Sequence, residues 1–328
     1  MERLTFLPNL LPGEHLLGAF SRLLLLNKTS NSETLQKGLV GNNSSLNVST
    51  AYHKSYDSLF ELFKKQKSRE EILNQHTLMG FYRHSMKYQH RDKLLLINKY
   101  KDREHFYLPG VSIMKNARLW RWCRSCAKED AQKYGVAYWH TLHQLPTALT
   151  CHKHTNEHLD SGCPHCGFEI YDLRNCAIPP SIECPLCHGT IGTIYRNLTE
   201  DAKWIQQAGV ELHNCVSSFL RPDFEWVMHY AVDLITARVW KLGDRNKWRI
   251  FDGQQKAFTD WLVDNRLDEY FVDGTELNNC KAIDIEKTKE LPRKVPALTH
   301  LLWLRFMGVK SLRDAKRNGF VRPKIVVG

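Results

Sequence analysis

The residues of this chain best suited to chemistry are thiols and imidazoles set in four short pairs: Cys123-x-x-Cys126, Cys151-x-x-His154, Cys163-x-x-Cys166 and Cys184-x-x-Cys187. A two-residue spacing lets a tight turn aim both side chains at one ion, and four such donors close a tetrahedral site. The pairs therefore imply two bound Zn2+ ions. The third and fourth pairs are 17 residues apart, the separation of a zinc ribbon. All four ligands of each site come from the protein, which leaves no position for water and makes the zinc structural rather than catalytic.

The simplest partition is sequential, with Cys123, Cys126, Cys151 and His154 on one ion and Cys163, Cys166, Cys184 and Cys187 on the next. The rival is an interleaved cross-brace of the kind found in RING ubiquitin ligases. There the third pair follows the second almost at once, whereas eight residues separate His154 from Cys163 here. His152, His158, His165 and His188 lie close enough along the chain to replace a named ligand. Cys176, Cys215 and Cys280 have no paired partner and read as small buried hydrophobes.

Composition narrows the setting. Ten cysteines in 328 residues are too few for a disulfide-built secreted scaffold. Met1-Glu2-Arg3 is no signal-peptide n-region, and the apolar run after it is interrupted by Pro8, Pro12, Glu14 and Arg22, so neither a leader nor a membrane span is expected. The expected location is cytosolic. A formal charge of +11 favours an anionic partner, most simply nucleic acid.

The elements that must position the pairs are helical. Pro12-Gly13-Glu14 opens a helix in which Leu16, Phe20, Leu23 and Leu24 share a face, with Glu14 in its first turn, where a carboxylate complements the helix dipole. Tyr56, Leu59, Phe60 and Phe63 form a second stripe, and Ser68 to Glu71 is a capping box. A helix over 77–87 carries Arg83 and Lys87. These short helices fit a helix-turn-helix-like unit, or equally an ordinary helical bundle with a solvated basic face. Beyond the zinc pairs the pattern predicts helices at 204–210, 224–242, 254–264 and 297–307. A short one over 312–317 makes a second pair of helix-turn-helix dimensions. The expected fold is mainly α with small zinc-ribbon or zinc-finger β elements. It divides into a helical domain at 1–115, a tandem zinc module at 116–190 and a helical domain at 191–328.

The text between the first two pairs reads C-x-x-C-x-x-E-D, G-x-x-Y-W, H-Q-L-P, C-x-x-H, running from Cys123 to His154. It resembles the TniQ/TnsD family of bacterial transposon target selectors, as does the opening Pro12-Gly13-Glu14-His15-Leu16 with Arg22 downstream. His15 stands where that family more often has serine. The resemblance spans about residues 8–190. It implies a protein that is not an enzyme. Such a protein binds a chosen double-stranded DNA site, or docks on an RNA-guided CRISPR effector complex as an adaptor, often a homodimer. It then recruits an AAA+ ATPase regulator and the transposase. The chain has no phosphate-cradling Gly-Lys-Ser/Thr loop and no Gly-x-Ser-x-Gly elbow. A zinc-ribbon transcription factor and a RING-like ligase are the more distant alternatives.

In a module this small, Tyr138 and Trp139 are expected to pack the zinc knuckle against the N-terminal helices rather than stack on bases. The candidate DNA contacts are Arg83, Lys87, Arg121, Arg124, Lys128, Arg313, Lys316 and Arg317.

Overall fold

The first helix, α1 (Leu16–Leu26), buries Leu16, Leu17, Phe20 and Leu23 and is capped by His15, whose ring Nδ1 accepts from the Leu17 N–H at 3.2 Å. Glu14 therefore lies one residue before the cap and outside the first turn, which corrects its expected role. Its carboxylate is fully buried and takes two bonds from Arg22, 2.9 Å from Nε and 2.8 Å from Nη2. Arg22 also donates to the carbonyl of Asn9 at 2.6 Å. Burial pushes the Glu14 carboxyl up from its ordinary range, and Arg22 opposes that shift.

This computed structural model describes residues 6–27, 46–48, 52, 55–85, 113–115, 118–214, 247–290 and 295–313. The second helix, α2 (Tyr56–Phe63), buries the predicted stripe of Tyr56, Leu59, Phe60 and Phe63. In α3 (Arg69–Gln75) both halves of the capping box are made: Ser68 Oγ accepts from the Glu71 N–H at 3.2 Å, and Glu71 Oε2 accepts from the Ser68 N–H at 2.8 Å. Only a single turn follows, α4 (Met79–Tyr82), continued by a 3-10 turn at Arg83–Ser85. All four residues of α4 are buried, and a Cβ on Gly80 would come within 2.8 Å of the His213 ring.

Among the described residues, four further α-helices follow the metal-binding region. The predicted 204–210 helix lies within the longer α6 (Glu200–His213), numbered after α5 (Arg124–Tyr134) at the first ligand pair. It starts earlier than apolar spacing suggests because Thr199 caps it, accepting from the Ala202 N–H at 3.2 Å. Next come α7 (Lys247–Asp264), α8 (Ile285–Glu290) and α9 (Ala297–Phe306). Phe258 of α7 stacks on Trp303 of α9 with ring centres 3.7 Å apart. Gly308, at φ 86°, follows α9, and another helical segment begins at Leu312. The predicted helix at 224–242 lies outside the described residues, as does most of 312–317.

The chain is mainly helical, as expected, and β structure among the described residues is confined to isolated antiparallel bridges. One hydrophobic core runs from α1 to Leu312, taking in Trp120, Trp122 and Trp139 of the metal-binding region and Phe258 and Trp303 beyond it. Because α6 packs against both α4 and α9, it joins the N-terminal and C-terminal helices through this core.

Candidate metal centres

Cys123 is the N-cap of α5, and its Sγ accepts from the Cys126 N–H at 3.3 Å. The other free N–H groups of that helix start go to a carboxylate from the far side of the site. Glu157 Oε1 accepts from Arg124 N at 2.6 Å and Ser125 N at 3.1 Å. The second pair is a knuckle in which the Lys153 and His154 N–H groups point at Cys151 Sγ, at 3.4 and 3.3 Å. Its register is set by the Cys151 N–H donating to the Glu157 carbonyl at 2.9 Å.

The donors converge. Cys126 Sγ lies 3.5 Å from Cys151 Sγ, and His154 Nδ1 lies 3.2, 3.4 and 3.7 Å from the sulfurs of Cys123, Cys126 and Cys151. A tetrahedron with Zn–S near 2.3 Å and Zn–N near 2.0 Å has S–S edges of about 3.8 Å and S–N edges of about 3.5 Å. Three thiols and one imidazole at these separations fit a zinc ion. Hydrogen bonds from Cys123 and then Cys126 hold the Cys151 thiol far below its ordinary range. Since Nδ1 faces the sulfurs, His154 turns Nε2 to Glu129 Oε1 at 3.1 Å, and Glu129 also pairs with Lys153. A carboxylate behind a ligating imidazole fixes its ring and tautomer.

The aromatic residues between the pairs anchor this centre to α1, as expected. Trp139 is buried against Trp120 and Trp122, at centroid distances of 5.6 and 6.0 Å. A Cβ on Gly18 would meet Trp139 at 2.9 Å, so glycine is what allows α1 to lie this close. Tyr138 donates to the Pro12 carbonyl at 3.0 Å. Gln144 of the H-Q-L-P motif clamps the Arg121 backbone, accepting from its N–H at 3.0 Å and donating to its carbonyl at 2.7 Å.

In the second centre Cys163 Sγ is 3.7 Å from Cys187 Sγ, and Cys166 Sγ is 3.7 Å from Cys184 Sγ. These again match the tetrahedral edge. Two knuckles of like form carry them. Gly167 N donates to the Cys163 carbonyl and His188 N to the Cys184 carbonyl, both at 3.0 Å. Gly167 and His188 are the equivalent residues, both left-handed at φ 70° and 57°. Cys163 and Cys184 are buried while Cys166 and Cys187 are exposed. The donor groups are thus sequential, and an interleaved cross-brace is excluded.

Of the alternative ligands, His165 instead bonds the Thr190 carbonyl at 2.8 Å. His143, which the spacing gave no reason to single out, sits beside Cys151 with Nε2 3.5 Å from Sγ. It groups there with His152. Cys176 and Cys280 are buried, as read from sequence, and Cys215 lies outside the described residues.

The candidate DNA contacts separate sharply. Arg83 is fully buried and donates to Asn74. Arg121 is buried, donating to the carbonyls of Ala148 and Leu145, and burial draws its pKa down to about 9. Arg124 is buried and paired with Asp160 at 2.5 Å. The expectation that these three face phosphate is corrected: their guanidinium groups serve the interior. Lys128 and Arg313 are exposed, and Lys87, Lys316 and Arg317 lie outside the described residues.

Residues 5–157 match the family model TniQ. They form a TniQ domain. The match ends at Glu157, the residue that closes the first centre, so the TniQ domain contains that centre whole and stops short of the second. No curated protein matches the chain. A TniQ domain, in a chain with two clusters able to hold metal, suggests a transposition-associated, DNA-binding role. Among the described residues no helix is long and apolar enough to cross a membrane.

Proposed function

We propose that this chain is a zinc-stabilised protein, without enzymatic activity, that recognises a specific double-stranded DNA sequence. It selects the insertion site for a transposon there and recruits an AAA+ ATPase regulator and the transposase. The observation that carries this proposal is the TniQ match over residues 5–157, which encloses a complete Cys3His centre. Two Zn2+ ions are structural in this proposal, and the protein works in the bacterial cytoplasm at the nucleoid. The helices of 1–115 and 191–328 flank the zinc module of 116–190 and carry the sequence reading. Exposed Lys128, Arg313 and the basic residues Lys87, Lys316 and Arg317 hold phosphate. The expected result of selection over genomic fragments at moderate salt is one strongly preferred site, with affinity that falls steeply as salt rises. Uniform affinity for all fragments would overturn the proposal.

One observation favours the adaptor alternative. Burial of Arg83, Arg121 and Arg124 removes three cations from the candidate DNA surface, as suits a selector that docks on an RNA-guided effector complex. Co-purification with guide RNA, together with no binding to naked duplex, would decide for the adaptor.

A further inference from the structure

The two metal centres differ in the surfaces they present. From residue 116 to 158 the chain carries six lysines and arginines, of which Arg121 and Arg124 are buried, against three acidic residues. From Cys163 to Tyr195 it carries no lysine, one arginine and three acidic residues. That arginine, Arg174, is already paired with Asp172 at 2.6 Å. Glu183 has no ion pair among the described residues, and the exposed Glu169 takes only the Tyr171 hydroxyl, at 2.5 Å. Four thiolates on a divalent ion would add two further negative charges. In a chain of net charge +11, this ribbon is the part least suited to a phosphate backbone.

It is also the most apolar surface described. Ten large hydrophobic side chains are exposed among the described residues, and six of them fall between Tyr171 and Tyr195. Ile182, Leu186 and Tyr195 are 58%, 63% and 73% exposed. The ribbon's own core needs only Cys163, Cys184 and Ile191 with Phe168 packed on them, because metal rather than apolar burial supplies the stability of so small a module. The outward residues are therefore not demanded by folding. Exposed apolar groups concentrated on one small module mark an interaction site.

We infer that the ribbon from Cys163 to Tyr195 is a protein-docking module. Its partner is a protein surface that combines aliphatic or aromatic side chains with lysine or arginine. Ile182, Leu186 and Tyr195 enter apolar contacts, and Glu169 and Glu183 meet the partner's cations. The recognition of DNA is left to the more basic remainder of the chain. This inference goes beyond the proposed function, and DNA affinity is measured alongside so that the two can fail separately.

The test uses the full chain and its Ile182→Ser/Leu186→Ser variant, which keeps every metal ligand. Both are first assayed for zinc content and unfolding temperature, then used to select from a phage-displayed library of random peptides. The expected outcome is two zinc ions and an unchanged unfolding temperature in both proteins. Peptides enriched on the wild type should join apolar residues to lysine or arginine and bind the variant at least tenfold more weakly, while duplex DNA affinity stays the same. The inference is overturned by peptides that bind both proteins equally, by acidic peptides, or by no enrichment. A tenfold loss of DNA affinity in the variant would overturn it too, by making the ribbon a nucleic-acid surface. A lowered unfolding temperature with zinc retained would show that these residues pack within the chain, with the same consequence.

Discussion

The carboxylate of Glu157 reaches the backbone nitrogen of Arg124 at 2.6 Å, so one half of the first metal centre caps the helix that bears the other half. Cys123 caps the same helix with its sulfur. The Cys123–Cys126 turn is thereby ordered by a residue 33 positions away, and metal binding and helix docking become one event.

Glu157→Ala removes a charged cap from a buried helix start and should cost about 1–3 kcal/mol. Metal at the first centre should bind about tenfold or more weakly, while the second is unchanged. Chelator competition, read at each centre through cobalt substitution, checks both parts. Equal weakening at the two centres would contradict the capping role.

Arg22→Ala should destabilise the fold by about 3–5 kcal/mol, because it strands the buried carboxylate of Glu14. The Glu14→Gln/Arg22→Met double variant should recover much of that loss. Urea unfolding of the two variants beside wild type measures the difference.

His188 occupies a left-handed backbone position that its counterpart in the first knuckle fills with glycine. Relief of that strain is worth about 1–2 kcal/mol, offset in part by the greater freedom of an unfolded glycine. His188→Gly should therefore slow metal loss from the second centre about twofold to fivefold. Unchanged or faster loss would show that the ring contributes more than the backbone conformation costs.

Loss of the two centres should have unequal consequences. Cys151→Ser places its defect in the core shared by Trp120, Trp122 and Trp139, and the near-ultraviolet signal of those tryptophans should collapse. Cys163→Ser should release only the ribbon, which has a small core of its own, and limited proteolysis should cut there first.

His213 and His76 are buried and held neutral, burial drawing their pKa values down to about 3 and about 4. For His213 burial is the largest cause, and Arg83, His76 and His152 add to the same downward shift. The unfolded chain takes up protons near pH 6.5, before either residue does in the fold. Their contribution is complete above that pH and falls away as pH drops from 6.5 through the folded values. Between pH 7.5 and pH 5.0, His213→Gln should lose about 2 kcal/mol less stability than wild type. Thiolate protonation affects both proteins alike, so the difference in urea midpoints isolates the histidine.

The ligand pairs were legible because their spacing is local: two residues fix both direction and distance. The capping box at Ser68 was legible for the same reason. The fate of the arginines was not. Arg124 belongs beside a zinc knuckle by its place in sequence, yet its partner Asp160 lies 36 residues on, and only tertiary packing brings the two together. Arg121 is turned inward by carbonyls of Leu145 and Ala148, groups that every residue possesses and no motif advertises. Glu14 was misplaced by one residue, which changed it from a dipole partner into half of a buried pair. The start of α6 was readable in Thr199-Glu200-Asp201, a cap followed by two acids, but the apolar spacing drew attention to Trp204 instead.

Gly209 of α6 faces Thr147 so closely that a Cβ there would come within 1.9 Å of the hydroxyl. Three residues earlier in the same helix, Gln206 accepts from the backbone N–H groups of Leu149 and Thr150 at 2.9 and 3.0 Å. The segment delivering Cys151 is thus moulded by a helix that begins 43 residues after the TniQ match ends. A fragment cut at the family boundary would keep all four ligands and lose the wall behind them. Exchanging the C-terminal region between such chains by recombination would succeed only where the incoming helix brings a glycine and a glutamine in this register.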